Sequence, residues 1–168
     1  MDFIVAGLPR SGTAWASVWL TSGNAICLHE PLARRTPQEL SALHLDGYWG
    51  ISCTGIWIVP GLIDAQNCPV VTLSNGAGQV NLSLRAMGLQ PLPDRLMERF
   101  EALKYPAFSR ADMLEDRDKA AEMWAILRPD APFDPVRWEL LRRMKIEADM
   151  SKFTVAPRSL EAMCDASA

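Results

Sequence analysis

Apolar positions fall into two patterns along this chain: short unbroken runs in the first half, helical spacing in the second. Phe3-Ile4-Val5-Ala6 is a four-residue apolar run that stops at Gly7, as a parallel strand buried on both faces would. A polar, glycine-bearing segment follows, Gly7-Leu8-Pro9-Arg10-Ser11-Gly12-Thr13. Over 14–21, Trp15, Val18 and Trp19 recur at i, i+3 and i+4, and Ser22-Gly23 ends the pattern, which predicts a helix packed on a sheet. Runs at 25–28, 48–53 and 69–73 predict further strands, and 38–45 and 79–87 predict helices, the latter ended by Gly88. Strands alternating with helices predict an α/β fold around an open parallel sheet of about four or five strands.

Beyond Leu89 the pattern changes. Residues 92–103, 110–127 and 135–143 read as amphipathic helices separated by proline-bearing turns, and Asp134-Pro135 supplies an N-cap followed by proline at the first helical position. Residues 144–149 fit a last strand or a helix tail. The expectation is one domain over 1–150, α/β over 1–90 and helical over 91–150, followed by a small, polar tail at 151–168 that is not expected to be ordered.

Composition narrows the function classes. A chain of 168 residues with 49% apolar and 22% charged residues builds a core without disulfides or metal. A net charge of −3 argues against a nucleic-acid partner. No apolar run reaches the roughly 18 residues of a membrane span, and no basic, then apolar leader opens the chain. Cys27, Cys53, Cys68 and Cys164 have no CxxC spacing, so zinc and thioredoxin-like chemistry are set aside. A cytoplasmic protein with reduced thiols, and with no membrane partner, is expected. Thirteen Arg stand against four Lys, a bias toward the planar fork that suits phosphate and sulfate.

The chemistry concentrates in Gly7–Thr13. A glycine-bearing turn from strand to helix aims backbone N–H groups at one point, and the helix N-terminus adds partial positive charge there. Arg10 brings a charge-assisted fork, and Ser11 and Thr13 bring hydroxyls. The Gly7-to-Gly12 spacing matches a Walker loop, but Thr13-Ala14 stands where Lys-Ser/Thr is required, and no strand clearly ends in a magnesium-binding Asp. A magnesium-dependent nucleotidase is therefore not expected, nor any metal. The plainer alternative is a tight turn with no ligand.

In these residues the chain resembles PAPS-dependent sulfotransferases, whose 5′-phosphosulfate loop reads Pro-Lys/Arg-Ser-Gly-Thr-Thr-Trp; here it is Pro9-Arg10-Ser11-Gly12-Thr13-Ala14-Trp15. The resemblance implies a P-loop-type three-layer fold, with 3′-phosphoadenosine 5′-phosphosulfate (PAPS) as co-substrate. It further implies sulfuryl transfer to a hydroxyl or amine of a small-molecule or carbohydrate acceptor. It gives Arg10 the developing charge, Ser11, Gly12 and Thr13 the phosphate, and Trp15 the neighbourhood of the adenine. Ala14 replaces a second Thr of the family pattern. The family's 3′-phosphate mark is a strand ending in Arg-Asp-Pro with a Ser on the next helix. Here Ser74 and Asn75 stand in the place of the Arg, and Ser83 falls near the expected Ser. Against the usual length of that family the chain has room for the sheet and donor site and not for an elaborate acceptor domain.

Transfer also needs a base for the acceptor, and ligands of open parallel sheets gather outside the carboxyl ends of the strands. His29-Glu30-Pro31 directly follows the second strand, so Glu30 is the first choice of base and His29 the second. The alternative is a hydrogen-bonded strand-end His and a turn-capping Glu. Arg34 and Arg35 read as a solvated basic turn that could also meet an anionic acceptor or the nucleotide. His44 reads as structural; Ser52, Cys53 and Thr54 end the third strand at the same edge. Trp124 and Trp138 read as core, and Arg137, Arg142, Arg143 and Lys145 with Glu139 and Glu147 as a solvated mixed-charge face. Two rival functions remain: a P-loop protein handling another phosphorylated ligand, and a non-catalytic binding or assembly protein. A homodimer is left open.

Overall fold

A computed structural model describes residues 1–59 and 61–144. Five strands, β1 (Phe3–Gly7), β2 (Ala25–His29), β3 (Tyr48–Cys53), β4 (Val70–Ser74) and β5 (Ala107–Ser109), form one sheet in the order β2-β3-β1-β4-β5. Every pairing is parallel. The fold is α/β, with α1 (Thr13–Leu20), α2 (Pro37–Ser41), α3 (Ala77–Ala86), α4 (Asp94–Glu101), α5 (Arg110–Leu114), α6 (Arg117–Leu127) and α7 (Pro135–Arg143) around the sheet.

Strand alternation divides the core into two. Ile4 and Ala6 of β1 face a cluster with Ile51 and Cys53 of β3, Val80 and Leu84 of α3, and Leu96 and Phe100 of α4. Phe3 and Val5 point the other way, into Trp15 and Trp19 of α1, Met123 and Trp124 of α6, and Trp138 of α7. This is why β1 reads as an unbroken apolar run: both of its faces are covered. The expectation of core tryptophans holds, since Trp124 and Trp138 are buried and Trp19 lies 5.3 Å from Trp124 between ring centroids.

Three sequence-based expectations change. The fifth strand comes from the half expected to be helical; at three residues, with only Phe108 buried, it is too short to show a period. The helix expected over 110–127 is two, because Ser109 caps α5 by a reciprocal bond with Asp112 and Asp116 caps α6 through the N–H groups of Asp118 and Lys119. The helix expected over 38–45 ends at Ser41 and leaves His44 exposed. The Asp134-Pro135 start holds, with Asp134 accepting from the N–H groups of Val136 and Arg137. Expectations for 145–149 and 151–168 lie outside the described residues.

Candidate functional site

β1 ends between β3 and β4, at the middle of the sheet, and the chain doubles back through Gly7–Thr13 into α1. The turn is tight. A side chain on Gly7 would run into Thr13 Cγ2 and come within 3.0 Å of Ser11 Oγ. Arg10 (φ 65°) and Gly12 (φ 98°) take the left-handed conformation that reverses the chain. The loop is pinned from inside: Ser11 Oγ donates to Leu8 O at 2.5 Å, and Trp57 Nε1 donates to Gly7 O at 3.0 Å.

No side chain of the described residues caps α1. Among the described residues, no acceptor meets the backbone N–H groups of Gly12, Thr13, Ala14 and Trp15. Arg10, in the turn that leads into them, is partly exposed and has no hydrogen-bond or ion-pair partner among the described residues. Open N–H groups at a helix N-terminus beside an uncommitted guanidinium can accept an anion.

The carboxyl end of β2 comes to the same place. Thr13 Oγ1 lies 3.4 Å from His29 Nε2 and donates to Glu30 Oε1 at 3.4 Å. Glu30, turned out of the strand at φ 46°, is buried, and both its oxygens accept from Thr54 N at 3.0 Å. Thr54 Oγ1 adds a bond to Oε2 at 3.0 Å, and Ser52 Oγ holds Thr13 O at 2.9 Å. Burial drives the two acid–base groups in opposite directions. It lowers His29 to about 4 and raises Glu30 to about 7, the latter held back by hydrogen bonds from Thr54, Cys53 and Thr13. The imidazole is therefore neutral at pH 7, and its 3.8 Å approach to Glu30 Oε1 is a polar contact and not an ion pair. Burial also keeps Cys53 a thiol, in line with giving it no nucleophilic role.

The structure thus brings Arg10, Ser11, Gly12, Thr13, His29 and Glu30 together and separates others. Pro9 is buried in the turn and Ala14 partly exposed on α1. Thr13 spends its hydroxyl on Glu30 and His29, and Ser11 spends its own on Leu8, so their offer to an anion is the Thr13 N–H rather than either hydroxyl. Trp15 is buried in the core, with its indole N–H donating to Leu141 O at 3.1 Å. Ser74 and Asn75 are half-buried at the end of β4, next to Gly7 through the Gly7–Leu73 pairing. Ser83 is half-buried on α3, and no hydrogen bond links it to the turn.

Ser52 and Thr54, which the sequence set at this edge, hold Thr13 and Glu30. One contribution was not visible in the sequence. Arg110, hidden inside an expected continuous helix, follows β5 and lays its Cγ and Cδ 3.6 and 3.9 Å from the Cβ position of Gly12. Among the described residues no set of three His, Cys, Asp or Glu side chains is placed to hold a metal ion. No helix among them is long and apolar enough to cross a membrane. Neither family models, curated proteins nor solved structures yield a match to this chain.

Proposed function

We propose that the chain is a sulfotransferase-like transferase of P-loop type, which holds the 5′-phosphosulfate of PAPS at Gly7–Thr13 and passes the sulfuryl group to a hydroxyl or amine. The observation that carries this is the set of four N–H groups left open among the described residues at the start of α1, with Thr13 in contact with an acid–base pair and Arg10 in the turn that leads in. Arg10 and Arg110 are the cations available to offset charge on the oxygen that leaves with the nucleotide. In the transfer the acceptor oxygen forms the new O–S bond, and the bond from sulfur to the bridging phosphate oxygen breaks with its electron pair on the leaving nucleotide. The acceptor proton goes to the protein.

Glu30, raised to about 7, is the stronger base of the pair near neutral pH, but its carboxyl is enclosed. His29, whose side chain keeps 15% of its surface, meets solvent and Glu30 together. His29 is therefore the member of the pair placed to take the acceptor proton, with Glu30 Oε1 3.8 Å away. Ser74 and Asn75, half-buried at the neighbouring strand end, are the groups left for the 3′-phosphate. The enclosure of Glu30 also favours a second reading, in which the cradle binds a phosphorylated ligand without transfer and Glu30 only braces Thr13.

Calorimetry with PAPS and with its desulfo product tests the donor assignment. Binding of both without magnesium is expected; heat from neither overturns it. Turnover of radiolabelled PAPS on an acceptor panel then separates transfer from binding alone.

A further inference from the structure

The end of β3 and the short turn after it hold Gly7–Thr13 at both ends. At the entry, the Gly7–Leu8 peptide is fixed on two sides: Gly7 O accepts from Trp57 Nε1 at 3.0 Å, and Leu8 N donates to Leu73 O at 2.9 Å. At the exit, Thr13 O accepts from Ser52 Oγ at 2.9 Å. Gly7 and Thr13 lie against each other, since a side chain on Gly7 would run into Thr13 Cγ2. The two carbonyls held are thus those of the residues that close the loop. Between them Arg10 takes the left-handed backbone, which in a residue other than glycine persists only where its surroundings over-determine it.

Both donors are themselves fixed. Ser52 is buried in β3, paired with Val5 of β1 on one side and His29 of β2 on the other. Trp57 is buried in a helical turn, Ile56–Ile58, with its ring edge-on to Phe100 of α4 at 5.2 Å between centroids. A buried indole N–H needs an acceptor somewhere; here the acceptor is the carbonyl whose peptide opens the loop. Thr54, between the two donors, grips Glu30 through its N–H and its hydroxyl. One stretch, 52–57, therefore braces the loop and the neighbouring acid together.

We propose that Trp57 and Ser52 are positioning residues of the anion-binding loop: by fixing the carbonyls at its entry and exit, they aim the open N–H groups at the start of α1 toward one point. Their role rests on Gly7–Thr13 being the anion site proposed above, whichever anion it takes.

Calorimetry with inorganic pyrophosphate and with the desulfo nucleotide tests that role, alongside amide NMR spectra of the ligand-free protein. Trp57→Phe keeps a ring against Phe100 and removes the N–H; Ser52→Ala removes the hydroxyl. Each is expected to weaken binding about five- to tenfold, the scale of one hydrogen bond, and to shift the Gly12 and Thr13 amide signals. Ser52→Thr, which keeps the hydroxyl, restores part of the affinity. Tyr48→Phe measures lost stability alone. At the opposite end of β3 it removes the bond from Tyr48 Oη to Leu127 O at 2.9 Å, and it should leave both readouts unmoved. If Trp57→Phe does not fold, Ser52→Ala decides. Parental affinity in either folded variant, or an equal loss in Tyr48→Phe, overturns the proposal. Pyrophosphate binding that both variants weaken, with no heat from the desulfo nucleotide, overturns the donor reading and leaves this role standing. Equal binding of the desulfo nucleotide by parent and variants does the reverse, and a parent that binds neither probe overturns both.

Discussion

The two ends of α1 are satisfied in opposite ways. At its C-terminus the protein closes the helix with its own charge. Arg128, buried, donates to Leu20 O at 2.6 Å and to Ser22 O at 3.3 Å, is anchored by Asp130 at 2.8 Å, and lies between Tyr48 and Trp124. Arg137 adds Val18 O at 2.9 Å, Thr21 O at 2.8 Å and Trp19 O. Arg137 therefore leaves the solvated face it was expected to share, whereas Arg142 and Arg143 stay there, paired with Glu139. At the N-terminus no side chain satisfies the helix, and Arg10 has no partner among the described residues. Both ends carry the partial charge of the same macrodipole. One arginine pair is committed to holding the fold, and at the other end the donors stay open among the described residues.

That contrast can be broken most forcefully at the closed end. Arg128→Met should cost about 1–3 kcal/mol in urea unfolding, because it leaves the buried Leu20 O without its donor, while Asp130, with 31% of its side chain exposed, turns to water. A loss below about 1 kcal/mol would mean the guanidinium network is decoration. At the open end the expected sign of the trade is reversed. Arg10→Ala should lower affinity for the desulfo nucleotide about 100-fold by calorimetry while leaving the unfolding midpoint unchanged, and Arg110→Ala should lower it several-fold. A stability loss in Arg10→Ala would show that Arg10, too, serves the fold.

The smallest effect sharpens the buried pair beside that end. Between about 4.5 and 7 the folded chain keeps a proton on Glu30 that the unfolded chain has released, so this group's contribution falls as pH rises. Between about 4 and 6.5 the unfolded chain holds a proton on His29 that the folded chain lacks, so stability rises with pH there. The two slopes oppose each other. Relative to the parent, Glu30→Gln should gain stability with rising pH by about 1 kcal/mol per unit from pH 5 to 6.5, and His29→Asn should lose it by less, the ring being partly exposed. Urea titrations at pH 5, 6 and 7 read the divergence; parallel profiles for all three proteins would remove the burial argument.

Much of the geometry around the Gly7–Thr13 turn was legible along the chain, because it is local. The apolar run of β1, the glycines that permit the return turn, and the periodic start of α1 are all set by residues within about ten positions of each other. The same holds for the Asp134 cap of α7. The brace around Glu30 was not legible. Thr54 reaches it across 24 residues, and Ser52 reaches Thr13 across 39, contacts that exist only because β3 lies between β1 and β2. Trp15 is a second case: its indole N–H reaches Leu141 O of α7, 126 residues away, a contact that no local pattern announces.

The sequence by itself determined that a parallel α/β sheet forms and that a donor-rich turn opens its first helix, since strand burial, glycine conformation and capping are short-range. Only the tertiary structure decided which end of that helix is satisfied and which is left open. Strand order brings His29 and Glu30 under Thr13, β5 carries Arg110 to Gly12, and the last two helices deliver Arg128 and Arg137 to the far end. Those pairings depend on where distant segments pack, and hydrophobic periodicity, which says only that a face is buried, carries no record of its partner.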